Sequence, residues 1–249
     1  MKHQSDRRRV VAGAAGLVLT AGPARAAAHV GVVSPRPKLS LFLTRAAAAD
    51  RNAFVAGWLA ADAPRLARTP GLRSLVFNAV DAARTPDTPY DGVAELEFAN
   101  TRTLDAALDS GTLAAGSAVT LPRPMQIVTA TVVIRPLDGA ATAGAKRIGL
   151  VSRPAGHDRQ RFYDDWRDEH GPDVARQIGL SGYMLNLVDA ARSKGSRWDG
   201  YAELWWPDWP TFEASMRKRE AVREASAESF FADHLLLLVT ERLRIFLPG

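Results

Sequence analysis

The chain has 249 residues, 47% of them hydrophobic and 24% charged, which is enough to bury the core of one large domain or two small ones. It contains no cysteine, which excludes disulfides and thiol catalysis. The sequence has no apolar run long enough for a membrane helix, so it predicts no transmembrane span.

The first 28 residues have the composition of an export signal. Arg7, Arg8 and Arg9 precede a weakly apolar stretch rich in Ala and Gly, and Ala24-Arg25-Ala26 supplies small residues at a peptidase site. The paired arginines resemble those of a twin-arginine signal, which predicts an exported, periplasmic protein. The alternative is a basic N-terminus with no export role.

The positive charge of the chain depends on this leader. The formal net charge is +5, but without residues 1–26 the chain keeps 27 basic and 26 acidic groups. The balance therefore gives no support for nucleic-acid binding.

The chain repeats itself at an offset of 108 residues, without a gap for about sixty positions. The matching residues form three blocks: Phe54 with Phe162, Trp58 with Trp166 and Pro64 with Pro172; then Gly71-Leu72 with Gly179-Leu180, Asn78 with Asn186, and Asp81 to Arg84 with Asp189 to Arg192; then Asp91-Gly92 with Asp199-Gly200, and Ala94 to Leu96 with Ala202 to Leu204. Three blocks on one offset predict an internal duplication.

Each copy predicts the same elements in the same order. The elements of the first copy are a strand at 39–44, a helix at 50–66, strands at 75–80 and 93–98, a helix at 103–108 and a strand at 127–134. Those of the second are 147–152, 158–168 with Asp158 as the N-cap, 183–188, 201–206, 211–228 and 235–246. In both copies an Asp-Gly pair predicts the turn before the third strand.

The order βαββαβ is the ferredoxin-like motif, in which both helices cover one face of a four-stranded sheet. The other face needs a partner, which the second copy can supply. We therefore predict an α+β fold in which two tandem ferredoxin-like units form a pseudo-dimeric α/β barrel within one chain. The predicted copies span residues 37–136 and 146–249, joined by a linker at 137–145 that is rich in Ala and Gly.

The second copy resembles the EthD family. The resemblance rests on Arg153, on Phe162-x-x-x-Trp166-x-x-x-His170-x-Pro172, on Gly179-Leu180-x-x-Tyr183-x-x-Asn186, and on Trp198-Asp199-Gly200-x-Ala202-Glu203-Leu204-Trp205. The first copy resembles it more weakly and has Asp62 in place of the histidine. The resemblance implies a dimeric α/β barrel and an association with oxidative degradation of small molecules, but no settled chemistry.

His170 and Tyr183 are the predicted catalytic residues. Phe162, Trp166 and His170 are spaced four apart and share one helical face, which ends just before Pro172. A histidine there can serve as a general acid or base near neutral pH. By strand alternation Tyr183 faces the same helix, so the two side chains are expected to share one cleft. The alternative is that His170 only satisfies the helix end and Tyr183 only packs.

Four further residues are predicted to bind the ligand, in two settings. Trp166 and Trp206 would form apolar walls of the cleft. Separately, the four tryptophans within twelve residues, Trp198, Trp205, Trp206 and Trp209, would line an aromatic pocket for a flat hydrophobic ligand, although core packing explains Trp206 equally well. Asn186 and Glu203 lie on the opposite face of their strands, toward the other sheet. With Asn78 and Glu95 they would place paired carboxylates inside the barrel, where raised pKa values are expected. Their alternative role is hydrogen bonding at the sheet junction.

No metal site and no cofactor are predicted, because the histidines show no recognised ligand spacing. The favoured hypothesis is an enzyme that acts without a cofactor on a small hydrophobic, aromatic or polyketide-like molecule, of the lyase, cyclase or oxidoreductase type. The alternative is a non-catalytic ligand-binding or accessory protein of an oxidative system. A homo-oligomer is compatible with either.

Overall fold

The computed structural model describes residues 32–33, 36–137, 144–223 and 230–248. The predicted export signal at 1–28 and residues 138–143 of the predicted linker lie outside the described residues. So does the end of the last predicted helix, at 224–228.

Nine strands are found in the described part of the chain. They are β1 (Val32–Val33), β2 (Lys38–Leu43), β3 (Leu72–Val80), β4 (Gly92–Phe98), β5 (Met125–Arg135), β6 (Ala145–Ser152), β7 (Gly182–Val188), β8 (Gly200–Trp206) and β9 (Asp233–Phe246). The helices are α1 (Arg51–Gly57), α2 (Ala63–Ala67), α3 (Thr101–Asp109), α4 (Arg159–Asp165), α5 (Gly171–Ala175) and α6 (Trp209–Arg223). Each predicted strand and helix has a counterpart here, with ends that differ by a few residues.

Strands β2 to β9 close into an antiparallel barrel of eight strands. Their order is β5-β2-β4-β3-β9-β6-β8-β7, and β5 pairs with β7 to complete the ring. Closure leaves every one of these strands with two neighbours, so no backbone edge is exposed within the ring. The strands of 38–135 (the first half) and those of 145–246 (the second half) meet at β3–β9 and β5–β7. The expected α+β barrel is therefore present, and it encloses a single interior.

Strand alternation divides the barrel into an outer and an inner face. On β3, Leu75 and Phe77 point outward and pack under the helices of the first half, whereas Asn78 points inward. On β7, Tyr183 and Leu185 point outward and pack under the helices of the second half. A third apolar cluster fills one end of the interior and includes Phe42 and Tyr201. The inside of the barrel is thus a packed core with its own polar layer.

Side-chain caps fix where the helices begin. The predicted N-cap Asp158 accepts a hydrogen bond from the backbone N–H of Arg161 at 2.9 Å, and Asp50 does the same for Ala53 at 2.8 Å. Asn100 and Thr103 form a reciprocal capping box at α3. No helix in the described ranges is both long and apolar enough to cross a membrane.

Candidate functional site

A π-helical turn places Trp166 and His170 on the second-half helix. The turn spans Trp166–His170, between α4 and α5, and the N–H of Gly171 donates to the Trp166 carbonyl. The helix was predicted to stop before Pro172, but it continues through Pro172 to Ala175. Proline has no N–H and crowds the preceding turn, and a wider turn accommodates both defects. The prediction was wrong because it took Pro172 as the end of the helix and did not allow for this local widening of the turn.

The imidazole of His170 lies among aromatic rings. Its ring stacks on Phe230, with centroids 4.5 Å apart and planes 7° from parallel, and meets the edge of Phe231 at 5.1 Å. The same two phenyl rings contact Phe162, at 5.3 Å for Phe230 and 6.2 Å for Phe231. Trp166 meets Phe231 at 5.5 Å. We call these five residues the His170 cluster.

Two buried indole groups of the same outer core lack an acceptor, and Trp166 is the one that contacts the His170 cluster. Trp166 and Trp206 are fully buried, and the Nε1 of each has no hydrogen-bond partner among the described residues. A buried donor left unpaired costs about 1–3 kcal/mol. Tyr183 is buried in the same outer core. The sequence predicted apolar walls for these two residues. The unpaired N–H of Trp166, beside the His170 cluster, is a donor that a bound molecule could meet.

The matching face of the first half is closed by protein contacts. Trp58 stacks on Phe77 with centroids 4.0 Å apart. Asp62, which stands where the second half has His170, is 2% exposed, and its carboxylate accepts from Arg65 at 3.0 Å and from Ser117 at 2.7 Å. This carboxylate is engaged by its own chain, so the first half offers no equivalent acid–base group.

The barrel interior holds a closed quartet of charges: Lys38, Glu95, Lys146 and Glu203. The Lys146 ammonium contacts Glu95 at 2.8 Å and Glu203 at 2.7 Å. The Lys38 ammonium contacts Glu203 at 2.7 Å and Glu95 at 3.3 Å. All four residues are buried. Each cation bridges both anions, so the net charge of the quartet is zero.

Neutral side chains complete the hydrogen bonding of the two carboxylates. Asn78 donates to Glu95 at 2.8 Å and Asn186 donates to Glu203 at 2.9 Å. Asn186 in turn accepts from Thr131 at 2.8 Å. The amide and carboxylate pairs predicted for the interior are therefore in contact, within a network that joins both halves.

The electrostatics of the quartet differ from the sequence prediction. Burial alone would raise the pKa of Glu203, but the ammonium groups of Lys146 and Lys38 outweigh it and hold that pKa well below its usual range. Burial would lower the pKa of Lys38 and of Lys146, but the carboxylates of Glu203 and Glu95 outweigh it and raise both. The expected rise for Glu203 is thus wrong, because the prediction had no cations beside it.

The two lysines were missed although the sequence holds a sign of them. Lys38 and Lys146 are themselves 108 residues apart, on the repeat offset, and each precedes or opens a predicted strand. At such a position a lysine is most often solvent-exposed, so the sequence pattern did not predict a buried role for either lysine. The available signal was that both copies have a lysine at this position, and that both also have a glutamate at the matched positions Glu95 and Glu203.

The predicted site residues fall into two groups. His170, Tyr183, Trp166 and Trp206 lie on the outer face of the second half, and Asn186 and Glu203 lie inside the barrel, so the sheet separates them. The predicted tryptophan pocket is wrong. Trp205 faces inward, 4.8 Å from the Lys146 ammonium, while Trp209 belongs to α6 on the outside. Residues 205 and 206 are consecutive on one strand, so they cannot share a face.

Phe230 and Phe231 are the functional candidates that sequence reasoning passed over. The sequence places them between a helix and the last strand, where they had no predicted role. A pair of consecutive aromatic residues at an element boundary was the only signal present. In the described part of the chain, no group of three or more His, Asp or Glu side chains is placed to hold a metal ion.

No protein-family model matches the chain, and no curated protein matches it in sequence. Solved structures match it in fold. An anthrone oxidase-like protein superimposes with a TM-score of 0.57 at 12% identity, over 86% of this chain and 94% of that one.

Two other solved structures are less similar. A monooxygenase-like protein from Lactobacillus acidophilus NCFM gives a TM-score of 0.47 at 12% identity, over 86% of this chain and 96% of that one. A heme-binding protein from Thermus thermophilus gives 0.45 at 12% identity, over 85% and 93%. The match to the anthrone oxidase-like protein shows that the chain has a fold similar to that of the dimeric α/β barrels, while its resemblance to the EthD family in particular stays a prediction.

Proposed function

We propose that the protein binds a small hydrophobic, aromatic molecule against the outer core of the second half and transforms it by acid–base chemistry without a cofactor. The observation that carries the proposal is the position of His170, an imidazole held between two phenyl rings at the edge of a core with unpaired indole donors. Aromatic walls with a few polar groups are the usual make-up of a small-molecule site.

Each side chain then has a defined part. Trp166 donates its indole N–H to a carbonyl or phenolic oxygen of the ligand, in place of an acceptor that the described residues do not provide, and Trp206 is an apolar wall. His170 takes up or delivers a proton at that ligand, since histidine changes charge near neutral pH. Tyr183, from the facing strand, is the hydroxyl partner. Phe230 and Phe231 fix the orientation of the imidazole ring in the free protein, and they move aside when the ring of the ligand binds.

Haem has no part in this proposal, because the residues present do not fit it. The plane of His170 is covered by Phe230 at 4.5 Å, and the core beneath is filled by Phe162 and Trp166. A macrocycle ligated by a ring nitrogen of His170 would need open space beside the imidazole, and Phe230 and Phe231 pack against that ring at 4.5 and 5.1 Å.

We also propose the finer assignments that the sequence predicted. The strands and helices of 38–135 and those of 145–246 follow one order, which supports two tandem ferredoxin-like units of the EthD type. Export to the periplasm through a twin-arginine signal is proposed on the arginines of residues 7–9. N-terminal sequencing of the protein from a periplasmic extract tests it, with cleavage near residue 26 as the expected result and an intact Met1 as the contrary one.

A second candidate function is ligand holding without chemistry. The observation in its favour is the parallel stack of Phe230 on His170, which covers one face of the imidazole. In that case the cluster is a hydrophobic seat and His170 contributes packing.

One experiment separates the two functions. Binding of anthrone and related polycyclic ketones to the full chain is followed by quenching of tryptophan fluorescence, and turnover is followed by product formation. His170→Gln keeps size and polarity but loses the proton-transfer group, and Asp62→Asn, at the matching position of the first half, is its control.

A loss of turnover of roughly 100-fold or more in the His170→Gln variant, at unchanged affinity, supports the enzyme. Binding in the wild type with no turnover supports the holding protein. Unchanged affinity and turnover in the His170→Gln variant would show that His170 takes part neither in catalysis nor in ligand binding.

A further inference from the structure

A lateral groove lies on the first half, apart from the His170 cluster of the second half. Its cavity volume is about 440 Å³, within the range of small-molecule pockets. Val55 and Leu59 of the first helix form one wall, and Ala79 of β3 with Thr240 and Arg242 of β9 forms the other. Its base is apolar and its rim carries a guanidinium.

The groove is open because the first half has small side chains where the second half has large ones. At the offset of 108, Val55 corresponds to Tyr163 and Ala79 to Leu187. The Tyr163 side chain crosses from its helix to the strand ends and donates its hydroxyl to the carbonyls of Val188, at 3.0 Å, and Asp199, at 2.8 Å. The phenol ring thus occupies, in the second half, the place that valine leaves open in the first.

A second difference changes the polarity of the wall. Leu59 corresponds to Arg167, whose guanidinium is held by Asp164 at 3.0 Å and by Asp168 at 2.6 Å. The first half therefore replaces a paired charge with a hydrophobic side chain. Both changes enlarge the apolar surface of the groove.

An irregularity in β9 brings Arg242 to this wall. In the pairing of β3 with β9, Phe77 lies opposite Leu243 and Asn78 opposite Glu241, so Arg242 is the extra residue of a β-bulge. A bulge redirects side chains that strict alternation would place on the other face. Glu241 and Arg244 pair with each other at 2.6 Å, whereas Leu243 packs on the outer core of the first half. Arg242 lines the groove beside that core.

The charge of the groove selects its ligand. No ion pair joins Arg242 to a carboxylate in the parts of the chain that the structure describes. The other charged lining residue, Asp81, is held by Arg84 at 2.7 Å. A single guanidinium with a nearby carboxylate suits a monoanion, because a dianion would meet repulsion from Asp81. Arginine binds a carboxylate through two parallel hydrogen bonds.

We propose that the lateral groove is a second ligand site that takes a small apolar carboxylate, with its hydrocarbon body on Val55, Leu59 and Ala79 and its carboxylate on Arg242. The site is independent of the His170 cluster. Its ligand need not be the molecule that the other site binds.

The test uses 2-naphthoate and its uncharged analogue 2-naphthamide with the full chain, followed by isothermal titration calorimetry. Arg242→Gln is expected to weaken naphthoate binding at the groove roughly tenfold, the loss of one charge-assisted contact, and to leave naphthamide unchanged. The double variant Val55→Tyr with Ala79→Leu places the second half's residues in the groove. It is expected to weaken binding of both probes at least tenfold.

Two controls make the outcomes distinguishable. Arg161→Gln removes an arginine that is 81% exposed on the other half and should change nothing. His170→Gln should leave groove binding unchanged even if it ends the proposed activity, so each proposal can fail alone. The groove proposal is overturned if naphthoate shows no saturable binding, or if binding survives Arg242→Gln and the double variant undiminished.

Discussion

The interior quartet makes a strong prediction for the substitution Lys146→Met. Methionine keeps much of the length and volume of the lysine stem but removes the ammonium that contacts Glu95 at 2.8 Å and Glu203 at 2.7 Å. Two buried carboxylates would then share the one remaining cation, Lys38. Removing one partner of a buried ion pair costs about 3–5 kcal/mol, because the charge left behind is desolvated and unpaired.

This cost is large enough to measure by thermal unfolding. For a folded unit of this size, each 1 kcal/mol lowers Tm by about 2–4 °C, so a loss of about 3–5 kcal/mol should lower the Tm of the Lys146→Met variant by about 6–20 °C. Circular dichroism at pH 7 gives Tm, and urea unfolding gives the free energy. The matched control is Arg161→Met, which breaks an exposed 3.7 Å contact with Asp165 and should cost less than about 0.5 kcal/mol.

A companion variant tests the reason for the loss. Adding Glu203→Gln to Lys146→Met restores charge balance, with Lys38 and Glu95 left as a pair, so the double variant should be more stable than the sum of the single losses by about 1 kcal/mol or more. If Lys146→Met costs under about 1 kcal/mol, or if the two losses simply add, the quartet is not a coupled buried network and the reasoning fails.

Two further predictions follow from the pKa shifts. The pKa of Glu203 is lowered, so its contribution to stability is present above the ordinary carboxyl pKa of about 4.3 and is lost as pH falls further. The pKa values of Lys38 and Lys146 are raised, so the contribution of the two lysines is present below the ordinary lysine pKa of about 10.4 and is lost as pH rises. The free energy of unfolding, measured in urea at a series of pH values, should therefore be constant from roughly pH 5 to 10. Its fall at alkaline pH should be shallower in Lys146→Met than in the wild type, and an equally steep fall would contradict the role of Lys146. Burial, partly opposed by Arg159, raises the pKa of Tyr163 to about 12. Tyr163→Phe should therefore remove one late-titrating phenol from the absorbance titration at 295 nm and cost about 1–2 kcal/mol. Loss of a phenol that titrates near pH ~10 instead would place that hydroxyl in solvent.

The strands and helices were predictable because each follows a short-range rule. Alternation on β3 and β7 set which residues face the helices, and an Asp-Gly pair marked the turn before β4 and β8. The repeat then gave two independent readings of one unit. Asp158 as an N-cap shows how local the information was, since its partner Arg161 is three residues away.

The parts that were missed depend on contacts distant in sequence. Lys38 meets Glu203 only because the ring closes and brings residues 165 positions apart together. The bulge at Arg242 depends on the register between β3 and β9, which no local pattern encodes. The π-helical turn before Pro172 is local, but the wider turn has no strong sequence preference and appears only when the backbone is built.

The two halves share the charged and amide residues of the interior network but differ at several outer positions, and the physics of each place explains why. Lysine, asparagine and glutamate recur at the offset of 108 in the interior, where each charge contacts partners from both halves. A change in one half would leave an unpaired charge in the other, so the interior resists single substitutions. Each outer face is built mainly by its own half, and His170 against Asp62, or Tyr163 against Val55, can change without that penalty. A shared charge network inside the barrel, with different side chains at several outer positions, is therefore expected to give one acid–base site and one groove, at different places on the two halves.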